Sequence, residues 1–293
     1  MIKSIRGLDL GSNRYQVYAE IYNSISEMFV DLDERIITDS RFHDVRHDGL
    51  EDPKWYGVET YDEALTLLTK GYSPAVTRIY DEIKTKSGRR INGTNKGRIL
   101  TTSVEGFQPI VPLVLKGIPN NMLVKNIEKK EARVINLFID TTVVSSTTIE
   151  ELIRCGIQLV KYVYMLEMAG HKINLYVSFT SAGQASADML CVKIKNSNNP
   201  IDLRRISFPL CHTAFLRVIC FDWYSKFSEG VFRKNYGSPL TNMIGEQAAG
   251  RLYKRLFGPS SVLLSTECLK TGGEAYLKKE LEIDDIRINK GVV

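Results

Sequence analysis

The stretch that decides the fold runs from residue 133 to residue 179. It begins with Arg-Val-Ile-Asn-Leu-Phe-Ile-Asp (133–140), continues as Thr-Thr-Val-Val-Ser-Ser-Thr-Thr (141–148) and ends with His-Lys-Ile-Asn-Leu-Tyr-Val-Ser-Phe (171–179). The segment between the loop and the last run is long and amphipathic, as helices on a sheet are. Two apolar runs joined by a hydroxyl-rich loop and a helix predict a strand–loop–helix–strand unit.

The ends of these predicted elements carry specific signals. Thr148 and Glu151 form a capping box for the helix, and Gly170 marks its end. The first apolar run is typical of a strand covered on both faces in an α/β sheet. We therefore predict an α/β fold with a right-handed crossover. Asp140 ends the first strand, at the sheet edge where open α/β folds bind their ligands.

This order of strand, Asp-led hydroxyl loop, long helix, glycine and strand resembles the first half of a von Willebrand factor A domain. The passage Leu166–Tyr176 is similar to the joint between the helix and the second strand of that family. Over residues 55–267 the chain also resembles an uncharacterised group of phage-encoded proteins with A-domain-like cores. The residues that carry this wider resemblance are Trp55–Gly57, the helix from Glu63 to Leu68, the Asp140 strand and Arg204–Phe208. The resemblance implies a doubly wound, mostly parallel sheet.

The same resemblance implies a candidate metal site. A domains that bind a divalent cation have a D-x-S-x-S loop, and hard oxygen ligands of this kind suit Mg²⁺. Here Val144 occupies the second hydroxyl position, and no aspartate stands at the end of the last predicted strand, near 262–265. Missing ligands reduce affinity directly, so a degenerate, metal-free site is favoured over a working one, with Asp140 accepting backbone N–H groups of its own loop. The candidate ligands are Asp140, Thr142, Ser145 and Thr180.

The division of the chain follows changes in composition. We predict an N-terminal α+β lobe over residues 1–97 and an A-domain-like α/β domain with C-terminal helical additions over residues 98–293. The lobe contains an αα-hairpin: Thr60 and Glu63 cap one helix, Gly71 ends it, and Ser73-Pro74 begins the next.

Weaker patterns predict the remaining elements. Residues 99–104 and 109–115 read as strands, and residues 181–190 as a short helix followed by a strand over 191–194. Pro209 divides residues 201–224, which predicts a strand or an extended arm and then a helix near 211–227. The last predicted elements are a helix within 237–257, a strand over 260–265 and a helix over 274–281.

Two basic segments suggest contact with an anion or nucleic acid. Net charge is +5 and the pI is about 8.8, so the chain is only mildly basic. The first segment lies between the hairpin and the next strand, and the second lies on one face of a predicted amphipathic helix. The candidate contact residues are Lys84, Lys86, Arg89, Arg90, Lys96 and Arg98 in the first, and Arg251, Lys254 and Arg255 in the second.

Several classes of protein are disfavoured. Hydrophobic residues make up 43% of the chain, and no run approaches the roughly 18 apolar residues of a membrane span. Asp9 lies where a signal peptide would be apolar, so we expect a cytoplasmic protein, in the host cytoplasm or a virion if phage-encoded. The five cysteines include no C-x-x-C pair. Cys211 and His212 are adjacent without a nucleophile elbow, so we assign no catalytic residue.

Three functions remain open from the sequence. The favoured one is a non-enzymatic interaction or assembly protein that binds a protein partner or self-associates, with no cofactor. The first alternative is a nucleic-acid-binding protein that uses the two basic segments. The second alternative is an enzyme that depends on a divalent metal at Asp140, with Mg²⁺ as the possible cofactor.

Overall fold

The two apolar runs of the stretch 133–179 lie at the centre of a mixed α/β structure. A computed structural model of the chain describes residues 2–9, 14–35, 49–87, 96–106, 108–129, 133–143, 146–168, 170–183, 186–227, 238–270 and 273–281. The first half contains β1 (Ile2–Asp9), β2 (Arg14–Tyr22), α1 (Ile25–Glu34), α2 (Pro53–Tyr56), α3 (Tyr61–Lys70), α4 (Ser73–Ser87), β3 (Lys96–Ser103), β4 (Gln108–Pro109), α5 (Val111–Leu115), β5 (Met122–Lys129) and β6 (Val134–Asp140).

The second half supplies most of the helices that cover the sheet. It contains α6 (Ile149–Met168), β7 (Lys172–Ala182), β8 (Ser186–Lys195), α7 (Leu203–Cys211), a π-helical segment (Phe215–Cys220), α8 (Phe221–Lys226), α9 (Leu240–Ile244), α10 (Glu246–Phe257), β9 (Ser261–Ser265), α11 (Thr266–Lys270) and α12 (Glu274–Leu281).

The main sheet is mostly parallel. Its strand order is β1-β2-β8-β7-β6-β9. The pairs β2–β8, β7–β6 and β6–β9 are parallel, whereas β1–β2 and β7–β8 are antiparallel. The carboxyl ends of β6, β7 and β9 therefore meet at one edge, where Asp140 is level with Ser178 and Ser265.

Helices cover both faces of this sheet. On one face, α6, α7 and the π-helical segment bury a large core that also takes in residues of α1, α3 and α4. On the other face, α9 and α10 pack over a smaller core that includes Phe138, Met189 and Leu263. The alternation of strand side chains between the two cores explains why β6 is apolar on both faces. The expected α/β fold with a mostly parallel sheet is confirmed.

The main sheet takes strands from both sides of residue 97. β2 lies beside β8, and Met28, Leu32 and Ile79 belong to the same core as Ile135. Residues 96–129 instead form a separate three-stranded antiparallel sheet, in the order β3-β5-β4. The composition of the sequence does not report the long-range pairing of β2 with β8.

The predicted start and end of the first of these two helices are confirmed, and the second helix begins at Ser73. The Thr60 side chain accepts the Glu63 N–H at 3.1 Å, and Gly71 ends α3 with a φ of 85°. A Cβ at position 71 would lie 2.7 Å from the Arg204 carbonyl oxygen, so α3 and α7 meet there without a side chain between them. Both α3 and α4 pack against α7.

Three of the predicted elements are wrong. The strand expected over 109–115 is the two-residue β4 followed by α5, whose first turn contains Pro112, where a missing N–H costs no helical bond. Of the helix expected over 181–190, residues 181–182 belong to β7 and residues 186–190 to β8, because burial on both faces overrides the weak strand propensity of Ala and Ser. The arm expected over 201–210 is α7, which Asp202 caps and which contains Pro209.

Within the described residues, no helix has both the length and the apolar character that crossing a bilayer requires.

Candidate functional site

The Asp140 carboxylate lies at the carboxyl edge of the main sheet and is 1% exposed. Its Oδ1 accepts the N–H of Thr142 at 3.0 Å. Its Oδ2 accepts the hydroxyl of Thr180 at 3.3 Å. The structure therefore brings together three of the four residues proposed as metal ligands, while the fourth, Ser145, lies outside the described residues.

Thr142 and Thr180 are also bound to each other. The Thr142 Oγ1 donates to the Thr180 carbonyl oxygen at 3.2 Å and accepts the Thr180 N–H at 2.8 Å. The Thr142 side chain therefore bonds to both the N–H and the carbonyl oxygen of Thr180. Thr180 lies beyond the last residue of β7 that pairs with β6. These bonds tie the loop after β6 to the end of β7, and they occupy the hydroxyl that would have to ligate a metal.

Burial raises the pKa of Asp140 to about 6, and the hydrogen bonds from Thr142 and Thr180 lower it again in part. Desolvation penalises the charged form of a carboxyl, whereas donors favour that form. At neutral pH the Asp140 carboxyl is therefore mostly ionised, although its buried environment disfavours the charged form. Such perturbed groups at sheet edges are candidates for function.

Sequence reasoning missed the other polar residues at this edge. The Ser265 hydroxyl donates to Glu246 Oε1 at 2.6 Å, and the Thr266 hydroxyl donates to the Asp140 carbonyl oxygen at 3.2 Å. Ser265 could have been found, since it ends a predicted strand that had to run beside β6. Glu246 carries no local signal, because its position depends on how α10 packs.

The residues present do not fit a magnesium ion. Ser265 lies where A domains would supply a carboxylate, and its hydroxyl is bound to Glu246. The hydroxyl of Thr142 bonds to backbone, and both Asp140 oxygens accept bonds from their own chain. Mg²⁺ requires near-octahedral oxygen ligands at about 2.1 Å. Among the residues described, no group of three His, Cys, Asp or Glu side chains could hold a metal.

A small cavity lies behind the Asp140 strand end. Its volume is about 20 Å³, which is room for about one water molecule, and its lining includes Asp140, His212 and Thr266. Burial lowers the pKa of His212 to about 4, and the His212 Nδ1 accepts the Ala214 N–H at 3.1 Å. Burial also raises the pKa of Cys211 to about 12. The adjacent Cys211 and His212 are therefore a neutral thiol and a neutral imidazole.

Beside this site, Arg217 of the π-helical segment contacts Trp55 of α2 and the loop after β6, and we call these contacts the Arg217 clasp. The Arg217 guanidinium lies 4.8 Å from the ring centre of Trp55 and donates to the Trp55 carbonyl oxygen. It also reaches the Thr147 carbonyl oxygen in the loop after β6, at 3.5 Å. Thr213 donates to the carbonyl oxygen of Tyr56 at 3.3 Å. π-helical turns are often found at functional sites, and here one holds a buried arginine against two other segments.

The predicted anion-contact residues lie in different places. Lys84 and Lys86 are in α4, and Lys96 and Arg98 are in β3. Arg89 and Arg90 lie outside the described residues. On α10, Arg251 and Arg255 are exposed, but Lys254 forms an ion pair with Glu280 of α12 at 2.6 Å.

An exposed apolar surface lies on the small sheet and around α5. Leu115 is 81% exposed, and its neighbours on this surface are also open to solvent. The residues of this surface, which we call the α5 surface, are Val104, Val111, Val114, Leu115 and Ile118. These five exposed aliphatic residues lie within fifteen positions of the chain, and a concentration of exposed apolar area is typical of contact surfaces, whereas single exposed residues are not.

Comparison with known proteins gives one match. A family model described as a domain of unknown function, DUF7192, matches residues 6–267. No curated protein and no solved structure matches the chain.

Proposed function

The chain belongs to the DUF7192 family, and we propose that it is a non-enzymatic interaction or assembly protein that binds another protein or itself through the α5 surface. The observation that carries the proposal is the concentration of exposed aliphatic side chains within residues 104–118. Burying apolar area is the main source of affinity in protein association.

The A-domain-like fold is part of this proposal. Its support is the arrangement of four strands: β7 lies on one side of β6, β9 lies on the other, and β8 runs antiparallel at the far side of β7. The carboxyl edge of such a sheet would normally hold a ligand. Here the donors of Thr142 and Thr180 already bind Asp140, so we assign the partner contact to the α5 surface. A phage origin, and a place in the host cytoplasm or the virion, remain predictions from the resemblance.

Charge substitutions on the α5 surface test this function. We expect Val111→Asp with Leu115→Asp to abolish self-association measured by light scattering over a range of concentrations, or capture of the partner by the purified chain. Val30→Asp is the matched control, since Val30 is 64% exposed on α1, away from the small sheet. Association that survives the double substitution, or a monomer that captures nothing, would contradict the proposal.

A nucleic-acid-binding function is the second candidate, and the outer face of α10 favours it. Arg251 and Arg255 are exposed on that helix. Exposed arginines on one helix face can contact phosphate groups. A gel shift at low and high salt tests this candidate, because phosphate contacts weaken steeply with salt. No shift at low salt would reject it.

A metal-dependent enzyme is the least supported candidate. It rests on the buried Asp140 with its raised pKa, and the bonded state of Thr142 opposes it. Calorimetry with Mg²⁺ and Mn²⁺ on the wild-type chain and on Asp140→Ala distinguishes a working metal site from a metal-free one. Heat in the wild type alone would support the metal site.

A further inference from the structure

The parts of the α5 surface meet at one end of the small sheet. Ser103 of β3 and Pro109 of β4 both pair with Met122 of β5, and this is the last paired row of the sheet. Val104 leaves the sheet directly after this row, and α5 begins two positions after Pro109. Val104 and α5 therefore share one end of the small sheet, although several residues separate them along the chain.

The helix α5 turns an apolar face to solvent. Its sequence, Val-Pro-Leu-Val-Leu, contains no polar side chain. Val111, Val114 and Leu115 have the spacing of residues that share one face of a helix, and they are 60%, 45% and 81% exposed. A helix at a protein surface normally presents polar residues to solvent and buries its apolar ones. In α5 the face that a helix normally buries is therefore the exposed one.

The rest of the described chain leaves this end of the small sheet open. Among the residues described between 102 and 124, none is buried. Within the described ranges, no helix or strand of residues 96–129 packs extensively against the main sheet or its helices. Small sheets need a covered apolar face or a packed helix for stability. A second molecule can supply that cover.

The charges around the α5 surface are few and of opposite sign. Residues 104–121 contain two charged side chains, Glu105 and Lys116. Glu105 follows Val104, and Lys116 follows Leu115. Both are exposed, and neither forms an ion pair with any residue that the structure describes. The α5 surface thus has an acid beside one of its aliphatic residues and a base beside another, with no net charge.

This arrangement is complementary to itself. In a two-fold dimer the same patch faces its own copy, so a contact from one residue to a second is repeated from the second to the first. If two α5 surfaces pack antiparallel, Glu105 of each copy faces Lys116 of the other, and aliphatic side chains face aliphatic side chains. A different protein would need its own apolar patch with matching charges, whereas a second copy of this chain has both.

We infer that the molecule that covers the α5 surface is a second copy of this chain, in an antiparallel two-fold contact with Glu105 and Lys116 paired across the axis. The inference rests on the proposed function and names its partner. Burial of the aliphatic side chains provides the affinity of the contact. The two charge pairs fix its orientation, because complementary charges at an interface set the register.

Charge reversal tests this pairing without changing the apolar face. We expect Glu105→Lys and Lys116→Glu each to raise the dissociation constant of the dimer at least about tenfold, because the two-fold repeats every like-charged contact. Sedimentation equilibrium of the full chain over a range of concentrations measures that constant. Lys70→Glu is the matched control, since Lys70 is exposed on α3, and it should leave the constant unchanged.

Mixing the two single variants is the sharper measurement. In a heterodimer of Glu105→Lys with Lys116→Glu, both contacts again join opposite charges, so the mixture should associate about as tightly as the wild type. A chain that carries both substitutions should also recover the wild-type dissociation constant. A mixture that stays monomeric would overturn the inference, as would single variants that associate like the wild type.

The same measurements separate this inference from the proposed function. If Val111→Asp with Leu115→Asp abolishes association while the charge reversals leave it unchanged, the two-fold pairing is wrong and the α5 surface is still the contact. If association survives Val111→Asp with Leu115→Asp, both are wrong. A wild-type chain that is monomeric at every concentration overturns the second copy as the partner, and the proposed function then depends on a different protein.

Discussion

Gly156 of α6 lies directly against Cys211 of α7. A Cβ at position 156 would overlap the Cys211 Sγ and lie 3.8 Å from the Cys211 Cβ. The glycine therefore lets two core helices approach across the side chain of a cysteine, next to the cavity behind Asp140.

The first prediction follows from this contact. Gly156→Ala should lower the free energy of unfolding by about 1–3 kcal/mol, the usual cost of overpacking a core. Cys211→Ala removes the overlapping sulfur, so the double variant should recover most of that loss. Urea denaturation of the wild type, both single variants and the double variant measures the coupling. Strictly additive effects would show that the two helices do not meet as described.

The second prediction concerns the pH dependence of stability at Asp140. The pKa of this carboxyl is about 6 in the folded chain, against a reference of 3.8, so the folded state binds the proton more tightly. The stability contribution is fully present below about pH 4 and is lost as pH rises to about 6, with a total near 3 kcal/mol. Asp140→Asn, which carries no charge, should therefore be more stable than the wild type at pH 7.

That advantage of Asp140→Asn should shrink as pH falls from 6 to 4. Thermal melts of both proteins at a series of pH values provide the measurement. A difference in melting temperature that does not vary with pH would mean that Asp140 is not desolvated in the folded chain. Asp202→Asn is a useful control, because Asp202 is exposed at the start of α7 and caps that helix.

The third prediction concerns the Arg217 clasp. Arg217→Lys keeps the positive charge but loses the planar stacking on Trp55 and the paired carbonyl contacts. We expect a loss of about 2 kcal/mol, from one ring contact and one or two hydrogen bonds. Urea denaturation followed by circular dichroism measures it. Arg154→Lys, with a side chain 71% exposed on α6, should change stability by less than about 0.5 kcal/mol.

The fourth prediction concerns Glu20, a carboxylate buried beneath α1. It accepts the Trp223 indole N–H at 2.7 Å, the Tyr22 hydroxyl at 2.9 Å and the Arg35 guanidinium at 3.0 Å. Arg35→Met should cost about 2–3 kcal/mol, because it leaves a buried charge without its cation. Adding Glu20→Gln should restore part of that loss, measured as a coupling energy in a double-mutant cycle. Equal losses in the single and double variants would argue against an ion pair.

The sequence predicted the elements whose signals are local. The strand that ends at Asp140, the helix capped by Thr148 and Glu151, and the hairpin capped by Thr60 all depend on periodicity and capping within a few residues. Such signals survive folding because they satisfy backbone groups at the positions where the chain needs them.

The wrong elements share a different physical cause. Residues 181–190 are rich in Ala and Ser, and burial between two helical layers is what places residues 181–182 and 186–190 in strands. The contacts of Arg217 and Thr180 could not be predicted either, because Arg217 reaches residues 55 and 147, and Thr180 reaches residues 140 and 240. At the candidate site, Asp140, Thr142 and Thr180 were named through the A-domain resemblance, and Glu246 was not.

The pairing of β2 with β8 has a consequence for synthesis. Val17 lies opposite Ala187, so a ribosome must add about 170 residues after one strand before its neighbour exists, and non-local pairings of this kind form slowly. Until then, residues 14–22 are a strand without its central partner, and they are exposed to chaperones and proteases. β2 can therefore take its central place in the main sheet only after β8 has been synthesised.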